Sequence, residues 1–196
     1  MEVGTLSNLT KNALAASLMK ALSEKSIDRI TIQELTDYCG LARNTFYYHF
    51  KDVYDLLSYI FTSEMETLRI KYTEERNWQG GLEYGLKYLY EHRLAIKNIQ
   101  ESGSLDLIIR YINRIAFEHA TAIVEKISKE VEHHLDNSTR DFLARFYKDA
   151  LLGSLLDWIA TDMEDSPEDL ADYFDAMFHG TFDSAITTAQ RMHDNV

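Results

Sequence analysis

The chain has 196 residues, 45% of them hydrophobic and 12% aromatic, which is enough apolar material for a packed core. Apolar runs stay shorter than the roughly 18 residues of a membrane helix, and the N-terminus lacks the pattern of a signal peptide. The single cysteine excludes an internal disulfide and suits a reducing compartment. A cytoplasmic protein without membrane contact is therefore expected.

The net charge of −12 is unevenly distributed along the chain. Residues 1–51 contain six Lys and Arg against five Asp and Glu, whereas residues 52–196 contain 14 against 27. The first part therefore carries +1 and the second part −13. Because the acidic second part repels nucleic acid, any contact with DNA is expected to involve the first part.

Helices are predicted along the whole chain, because one proline and eight glycines leave few positions that break a helix. Helix 1 is predicted over about residues 9–25. Its apolar face consists of residues at helical spacing, namely Leu14, Leu18, Ala21 and Leu22. No segment has the alternating pattern of a strand, so the fold class is predicted to be all-α.

Residues 31–51 have the pattern of a helix-turn-helix. Thr31 and Glu34 match a capping box, in which each side chain accepts a hydrogen bond from the other residue's backbone amide. Cys39 falls on the apolar face of helix 2. It is predicted to be a core residue, and the alternative is a reactive thiol. Gly40 permits the tight turn that leads into helix 3, predicted over about residues 42–48.

Helix 3 has one aromatic face and one polar face. Phe46 and Phe50 are predicted to point inward, at a spacing of four residues. The opposite face and its end consist of polar, aromatic and basic residues, namely Arg43, Asn44, Tyr47, Tyr48, His49 and Lys51. Arg43 can pair with guanine and Asn44 with adenine. The two tyrosines, the histidine and the lysine suit phosphates and thymine methyl groups, and the Thr31 hydroxyl suits a phosphate.

The alternative is an ordinary three-helix bundle with aromatic residues on its surface. No acidic residue lies between Gly40 and Asp52, and consecutive tyrosines stand beside Arg and Lys. This combination favours contact with DNA.

The remainder of the chain is predicted to form further helices. Asp52 can cap helix 4, which extends to about Tyr72 and connects a DNA-binding domain (1–52) to a C-terminal domain (73–196). Residues 77–81 form the predicted boundary, with Gly80 and Gly81 as a linker. Further helices are predicted over residues 82–89, 94–101, 108–131 and 138–163. Ser166 is predicted to cap the last helix, with Pro167 at its first position.

Residues 30–35 (ITIQEL), 39–52 (CGLARNTFYYHFKD) and the pair Asp55-Leu56 resemble the N-terminal domain of TetR/AcrR-type transcriptional regulators. The resemblance implies that Arg43, Asn44 and Thr45 begin the recognition helix and contact bases. It also implies a C-terminal helical domain that dimerises and binds a small ligand. The tyrosine-rich segment and the Trp158 region are similar to a branch that regulates dihydroxyacetone kinase, some members of which activate with a partner.

Two positions depart from the family pattern. Ala42 stands where a serine often caps the recognition helix, and Val53 stands where a lysine often contacts phosphate. Both departures predict modest DNA affinity, or reliance on a second dimer or on a partner protein.

The last two helices carry more apolar surface than one inner face requires. The surplus consists of Phe174, Met177, Phe178, Phe182, Ala185 and Ile186, while Gly153 and Ser154 would allow another helix to approach. We expect a homodimer through these two helices, because a protein that binds the two half-sites of a DNA operator needs two DNA-binding domains. The alternative is a wider core within one chain.

A ligand cavity in the C-terminal domain has weaker support. Its candidate lining consists of aromatic residues and one histidine, namely Tyr84, Tyr88, Tyr111, His119, Phe146, Tyr147 and Trp158. Plain core packing explains the same pattern, and His119 fits either interpretation. His133 and His134 are adjacent, so on a helix their side chains point in different directions and do not form a chelating pair. No metal site is expected there. No cofactor is expected either.

The sequence therefore predicts a regulator that binds a double-stranded DNA operator as a homodimer. We expect a repressor released by a small-molecule effector. The alternative is a DNA-binding co-activator or an interaction adaptor with weak DNA affinity. The sequence does not indicate an enzyme, because it shows no nucleophile paired with a base, no metal-binding cluster and no phosphate-binding loop.

Overall fold

The computed structural model describes residues 2–74, 78–130 and 136–193, and within these ranges the chain is helical with no strand. A 3₁₀ turn spans Ile27–Arg29. The α-helices of these ranges are α1 Glu2–Leu22, α2 Ile32–Cys39, α3 Arg43–His49, α4 Val53–Glu74, α5 Trp78–Glu91, α6 Arg93–Glu101, α7 Leu105–Glu130, α8 Asn137–Ala160 and α9 Pro167–His193. The predicted all-α fold is confirmed.

The chain forms two compact units that do not follow simple sequence order. The described parts of residues 1–67 and 88–111 make up the first unit. The described parts of residues 68–87 and 112–196 make up the second. Helix α6 therefore belongs to the same unit as the helix-turn-helix, although more than 40 residues separate them in sequence.

The first unit has a continuous apolar core. The predicted face of α1 is confirmed, since Leu14, Leu18, Ala21 and Leu22 are all buried. The buried face of α4 consists of Val53, Leu56, Leu57, Ile60 and Phe61, and α6 adds Ala95, Ile96 and Ile99. Burial of each of the larger side chains, from valine to phenylalanine, stabilises the unit by about 1.5–3 kcal/mol.

Two helix caps form as predicted. The Asp55 amide donates to Asp52 Oδ1 at 2.8 Å ahead of α4. The Asp169 amide donates to Ser166 Oγ at 3.0 Å ahead of α9, with Pro167 at the first helical position. The Asp55 carboxylate also accepts from the Lys51 amide at 2.9 Å, a contact that the sequence analysis did not include.

The capping box predicted at α2 forms only in part. The Glu34 amide donates to Thr31 Oγ1 at 3.2 Å, as expected. The Glu34 carboxylate does not act as the predicted second cap, because it is bound by the Lys25 ammonium at 2.8 Å. A cation nine residues earlier in the chain attracts the carboxylate more strongly than a neutral amide does.

Three predicted boundaries were wrong. Helix α1 covers Glu2–Leu22 instead of about 9–25, and Gly80 and Gly81 lie inside α5 rather than in a linker. Helix α8 ends at Ala160 rather than Met163, because Asp162 and Met163 both take left-handed backbone conformations (φ 56°). The buried Met163 side chain and the indole N–H of Trp158, which donates to the Asp165 carbonyl at 2.9 Å, hold this turn.

The second unit is built around α8 and α9, which pack against each other. Leu143, Tyr147, Leu155 and Trp158 of α8 are buried. Lys87 of α5 binds Glu168 of α9 at 3.1 Å, and Gln79 Nε2 donates to Asp175 Oδ1 at 2.9 Å. No helix among the described residues has the length and apolarity needed to cross a bilayer.

Candidate DNA-binding interface

The turn between α2 and α3 is fixed by a left-handed glycine. Gly40 has φ 65°, a conformation that costs a residue with a Cβ atom about 1–2 kcal/mol. The Leu41 amide donates to the Thr36 carbonyl at 2.8 Å, and the Gly40 amide donates to the Asp37 carbonyl at 3.2 Å. These bonds satisfy the last carbonyls of α2 and redirect the chain into α3.

Helix α3 is anchored by its aromatic inner face, as predicted. Phe46 and Phe50 are buried, with their ring centroids 5.8 Å apart. Leu35 of α2 is also buried, and its carbonyl accepts from the buried Ser17 hydroxyl of α1 at 3.1 Å. With this face in the core, the opposite face of α3 must point to solvent.

The exposed face of α3 carries most of the predicted DNA-contacting residues. Arg43, Asn44 and Lys51 are exposed, as are Tyr47 (51% exposed) and Tyr48 (82% exposed). Thr45 and His49 are half-buried at its edges. Exposed tyrosines on a short helix, beside an arginine and an asparagine, form a surface of the kind that enters a major groove. We call the seven residues of this group, Arg43, Asn44, Thr45, Tyr47, Tyr48, His49 and Lys51, the α3 face.

Contacts within the α3 face order its side chains. The Arg43 guanidinium donates to the Tyr47 hydroxyl at 3.5 Å, across one turn of the helix. The Tyr47 ring lies edge-on to Phe46, with centroids 5.8 Å apart, and Tyr48 lies edge-on to His49 at 4.9 Å. Because these rings rest on each other and on the core, they lose less side-chain freedom when they bind a ligand.

Thr31 stands at the start of α2, exposed and outside the α3 face. Its hydroxyl oxygen accepts from Glu34, so the hydroxyl hydrogen can point to a phosphate. Acidic groups nearby are engaged: Lys25 binds Glu34, and the Gln33 amide donates to Asp37 Oδ1 at 2.6 Å. The Lys25 ammonium offsets the charge of Glu34 and so reduces the repulsion that this carboxylate would exert on a phosphate backbone.

The structure shows where Ala42 and Val53, the two departures from the family pattern, lie and what they contact. Ala42 occupies the N-cap position of α3 in an extended conformation, and its side chain provides no cap. Val53 is buried at the start of α4, where it contributes to the core rather than to the surface. Neither residue can replace the polar contact that its position often makes in the family.

One pair near the helix-turn-helix was not predicted. The Lys20 ammonium of α1 lies 4.6 Å from the ring centroid of Tyr38, an exposed residue of α2. This cation–π contact places a further positive charge against α2. The two residues are 18 positions apart, so no local sequence pattern joins them.

Cys39 lies at the edge of the core, less buried than the sequence predicted. Its thiol is half-buried and donates to the Ala13 carbonyl at 3.1 Å. Burial raises the pKa of the Cys39 thiol, and a hydrogen bond with Ser17 opposes this shift. A protonated, hydrogen-bonded thiol is a poor nucleophile, which fits a packing role.

Comparison with known protein families agrees with this geometry. Residues 14–60 match the family model described as bacterial regulatory proteins of the tetR family. Residues 76–180 match a second model of that family, described as a transcriptional regulator C-terminal region. The chain belongs to the TetR family of DNA-binding transcriptional regulators.

This TetR-family regulator is similar to DhaS regulators at low sequence identity. It is 22% identical over 142 residues to the HTH-type dhaKLM operon transcriptional activator DhaS of Lactococcus lactis subsp. lactis (strain IL1403), covering 70% of this chain and 73% of the relative. The solved structure of a dihydroxyacetone kinase operon activator DhaS superposes with a TM-score of 0.69 at 18% identity, covering 88% of this chain and 96% of the other. The second match extends the fold likeness to most of this TetR-family chain.

The ligand candidates of this TetR-family chain fall in both units. Tyr88 lies in the first unit, where its ring centroid is 4.6 Å from that of His92, and Tyr84 lies in the second. The side chains of Tyr111 and His119 lie outside the described ones. Tyr147 is buried and donates to Thr181 Oγ1 at 3.2 Å. Trp158 is 11 residues further along α8, about 16 Å away along the helix axis, and is also buried.

Among the described residues, no group of three or more His, Cys, Asp or Glu is placed to hold a metal ion. His133 and His134 lie outside the described ranges.

Proposed function

We propose that this TetR-family regulator binds its operator through the α3 face and Thr31. The observation that carries the proposal is the exposure of Arg43, Asn44, Tyr47 and Tyr48 above a buried Phe46 and Phe50. Arg43 would pair with guanine O6 and N7, and Asn44 with adenine N6 and N7. Thr45, the tyrosines, His49, Lys51 and Thr31 would bind phosphates and thymine methyl groups.

We further propose that the regulator acts as a homodimer through α8 and α9. Phe146 (58% exposed) and Phe142 form one exposed apolar column on α8, and Met177 (63% exposed) and Tyr173 form another on α9. Gly153 is exposed with open space around it, which suits close approach of another helix. Phe174 is buried in its own protomer, whereas the side chains of Phe178, Phe182 and Ile186 lie outside the described ones.

The domain division predicted from the sequence remains part of the proposal. Residues 1–52 would bind DNA, helix α4 would connect, and residues 73–196 would dimerise and sense an effector. On this view the protein acts in the cytoplasm as a repressor that a small molecule releases. Activation is the second candidate, because both DhaS relatives carry the word activator in their names.

The operator contacts are tested with Arg43→Ala and Tyr47→Ala. Each variant is expected to fold normally and to lose operator affinity in a gel-shift assay with DNA from its own promoter region. Arg43→Ala should cost about 1–3 kcal/mol of binding free energy and relax the base preference at one position. Arg110→Ala is the matched control, because Arg110 is an exposed arginine of α7 in the same unit.

Wild-type affinity in both variants would show that α3 is not the recognition helix. A salt series on the wild type separates the regulator from an adaptor, since binding through phosphates weakens steeply as salt rises. A reporter gene behind the promoter decides the sign of regulation: deletion of the regulator raises expression under a repressor and lowers it under an activator.

A further inference from the structure

Helix α6 makes a polar contact with the end of α1, far away in sequence. The Asn98 side-chain amide donates to the Leu22 carbonyl at 2.8 Å. Leu22 is the last residue of α1 and is fully buried, and carbonyls in a last helical turn have no partner within their own helix. Asn98 thus supplies a hydrogen bond that the α1 terminus needs.

A second contact holds the same region from α4. The Tyr54 hydroxyl of α4 donates to Asp28 Oδ1 at 2.5 Å, inside the 3₁₀ turn that follows α1. Tyr54 therefore ties the 3₁₀ turn to α4.

The segment held by these contacts leads directly into the helix-turn-helix. Residues 23–31 connect α1 to α2, and Ile27 and Ile30 fix the segment to the core because both are buried. Helices α2 and α3 pack against each other, so they move as a pair when this segment moves. The position of residues 23–31, together with the direct packing of α1 on α2, therefore determines where the α3 face points.

We propose that Asn98 is a positioning residue for operator binding, which it supports by holding residues 23–31 in place. The proposal rests on the DNA-binding function proposed above. Asn98 does not touch DNA, because it acts through the Leu22 carbonyl. The functional DNA-binding unit then extends beyond residues 14–60, the part matched by the N-terminal family model, to include α6.

The test uses the full-length chain with Asn98→Ala and a promoter fragment that the wild type binds. Loss of a hydrogen bond to a buried carbonyl should lower the fraction of molecules with a correctly placed α3 face, and the apparent Kd rises as that fraction falls. We expect roughly tenfold weaker binding at a temperature where circular dichroism shows the variant fully folded.

Two variants of the same helix serve as controls. Gln100→Ala removes a similar amide that is also half-buried. Ile99→Val removes a buried methylene and lowers stability without touching the Asn98 contact. Both should bind DNA as the wild type does, because a folded protein's affinity does not depend on its margin of stability. Wild-type affinity in Asn98→Ala, or equal weakening in Ile99→Val, overturns the positioning role.

Hydrogen exchange tests the contact without DNA. Amides in residues 23–31 should exchange faster in Asn98→Ala than in Gln100→Ala, while α8 stays unchanged. Unchanged exchange in residues 23–31 overturns the proposal even if the variant binds poorly. If the wild type binds no promoter fragment at all, the proposed function fails, and the exchange result still decides whether Asn98 holds the connection.

Discussion

At the scale of single residues, the N-cap of α3 lacks the side-chain cap that α2 has. Ala42 has φ −78° and ψ 148°, which is the backbone conformation of a capping residue, but it has no side-chain acceptor. Ala42→Ser should therefore raise the free energy of unfolding by about 1 kcal/mol in urea titrations. It should also tighten operator binding several-fold in gel shifts, because the new hydroxyl lies where a phosphate contact is expected.

Ala42→Val is the control for this prediction. Valine adds bulk without a hydrogen-bond acceptor and suits the extended backbone. It should therefore raise neither the free energy of unfolding nor the operator affinity. A stability gain shared by serine and valine would mean that side-chain packing, rather than capping, limits the start of α3.

At the scale of elements, the turn between α2 and α3 depends on the backbone of Gly40. A Cβ atom added there meets nothing within 4 Å, so only the left-handed conformation opposes a substitution. Gly40→Ala should cost about 1–2 kcal/mol of unfolding free energy. Gly40→Asn should cost less, because asparagine tolerates this conformation. The urea midpoints of the two variants check the order, and equal losses would contradict a backbone origin.

The elements that the sequence predicted well are those whose ends are set locally. Thr31, Asp52 and Ser166 each cap a helix through an amide three residues away, and Phe46 and Phe50 mark the inner face of α3 within one turn. Such signals are complete within a few residues, so no distant partner is needed to form them.

The features that the sequence did not predict depend on distant partners. Lys25 captures the Glu34 carboxylate, and Asn98 binds the end of α1 from a position 76 residues later. The early end of α8 depends on burial of Met163, which overcomes a left-handed backbone that methionine rarely adopts. Periodicity contains no information about these contacts, because each is decided by which elements pack together.

At the scale of the whole molecule, net charge opposes dimer formation, whereas exposed apolar surface favours it. A dimer would bring together two acidic parts, each with a net charge of −13 over residues 52–196. Salt screens that repulsion, so the proposed association through Phe146 and Met177 should strengthen as salt rises. Operator binding should weaken over the same range, since it releases counterions from DNA. Opposite salt dependences of the two equilibria would separate dimer formation from DNA binding.

The dimer is tested with Phe146→Asp. The side chain is 58% exposed, so the change should leave the protomer folded, while two buried carboxylates would oppose association. Light scattering at micromolar concentration should give the monomer mass, and operator affinity should fall because one protomer reaches one half-site. Leu94→Asp on α6 is the control, since Leu94 is exposed to a similar extent (55%) outside α8 and α9. If Phe146→Asp remains dimeric, the interface lies elsewhere. If the wild type is monomeric, the proposed dimer does not form.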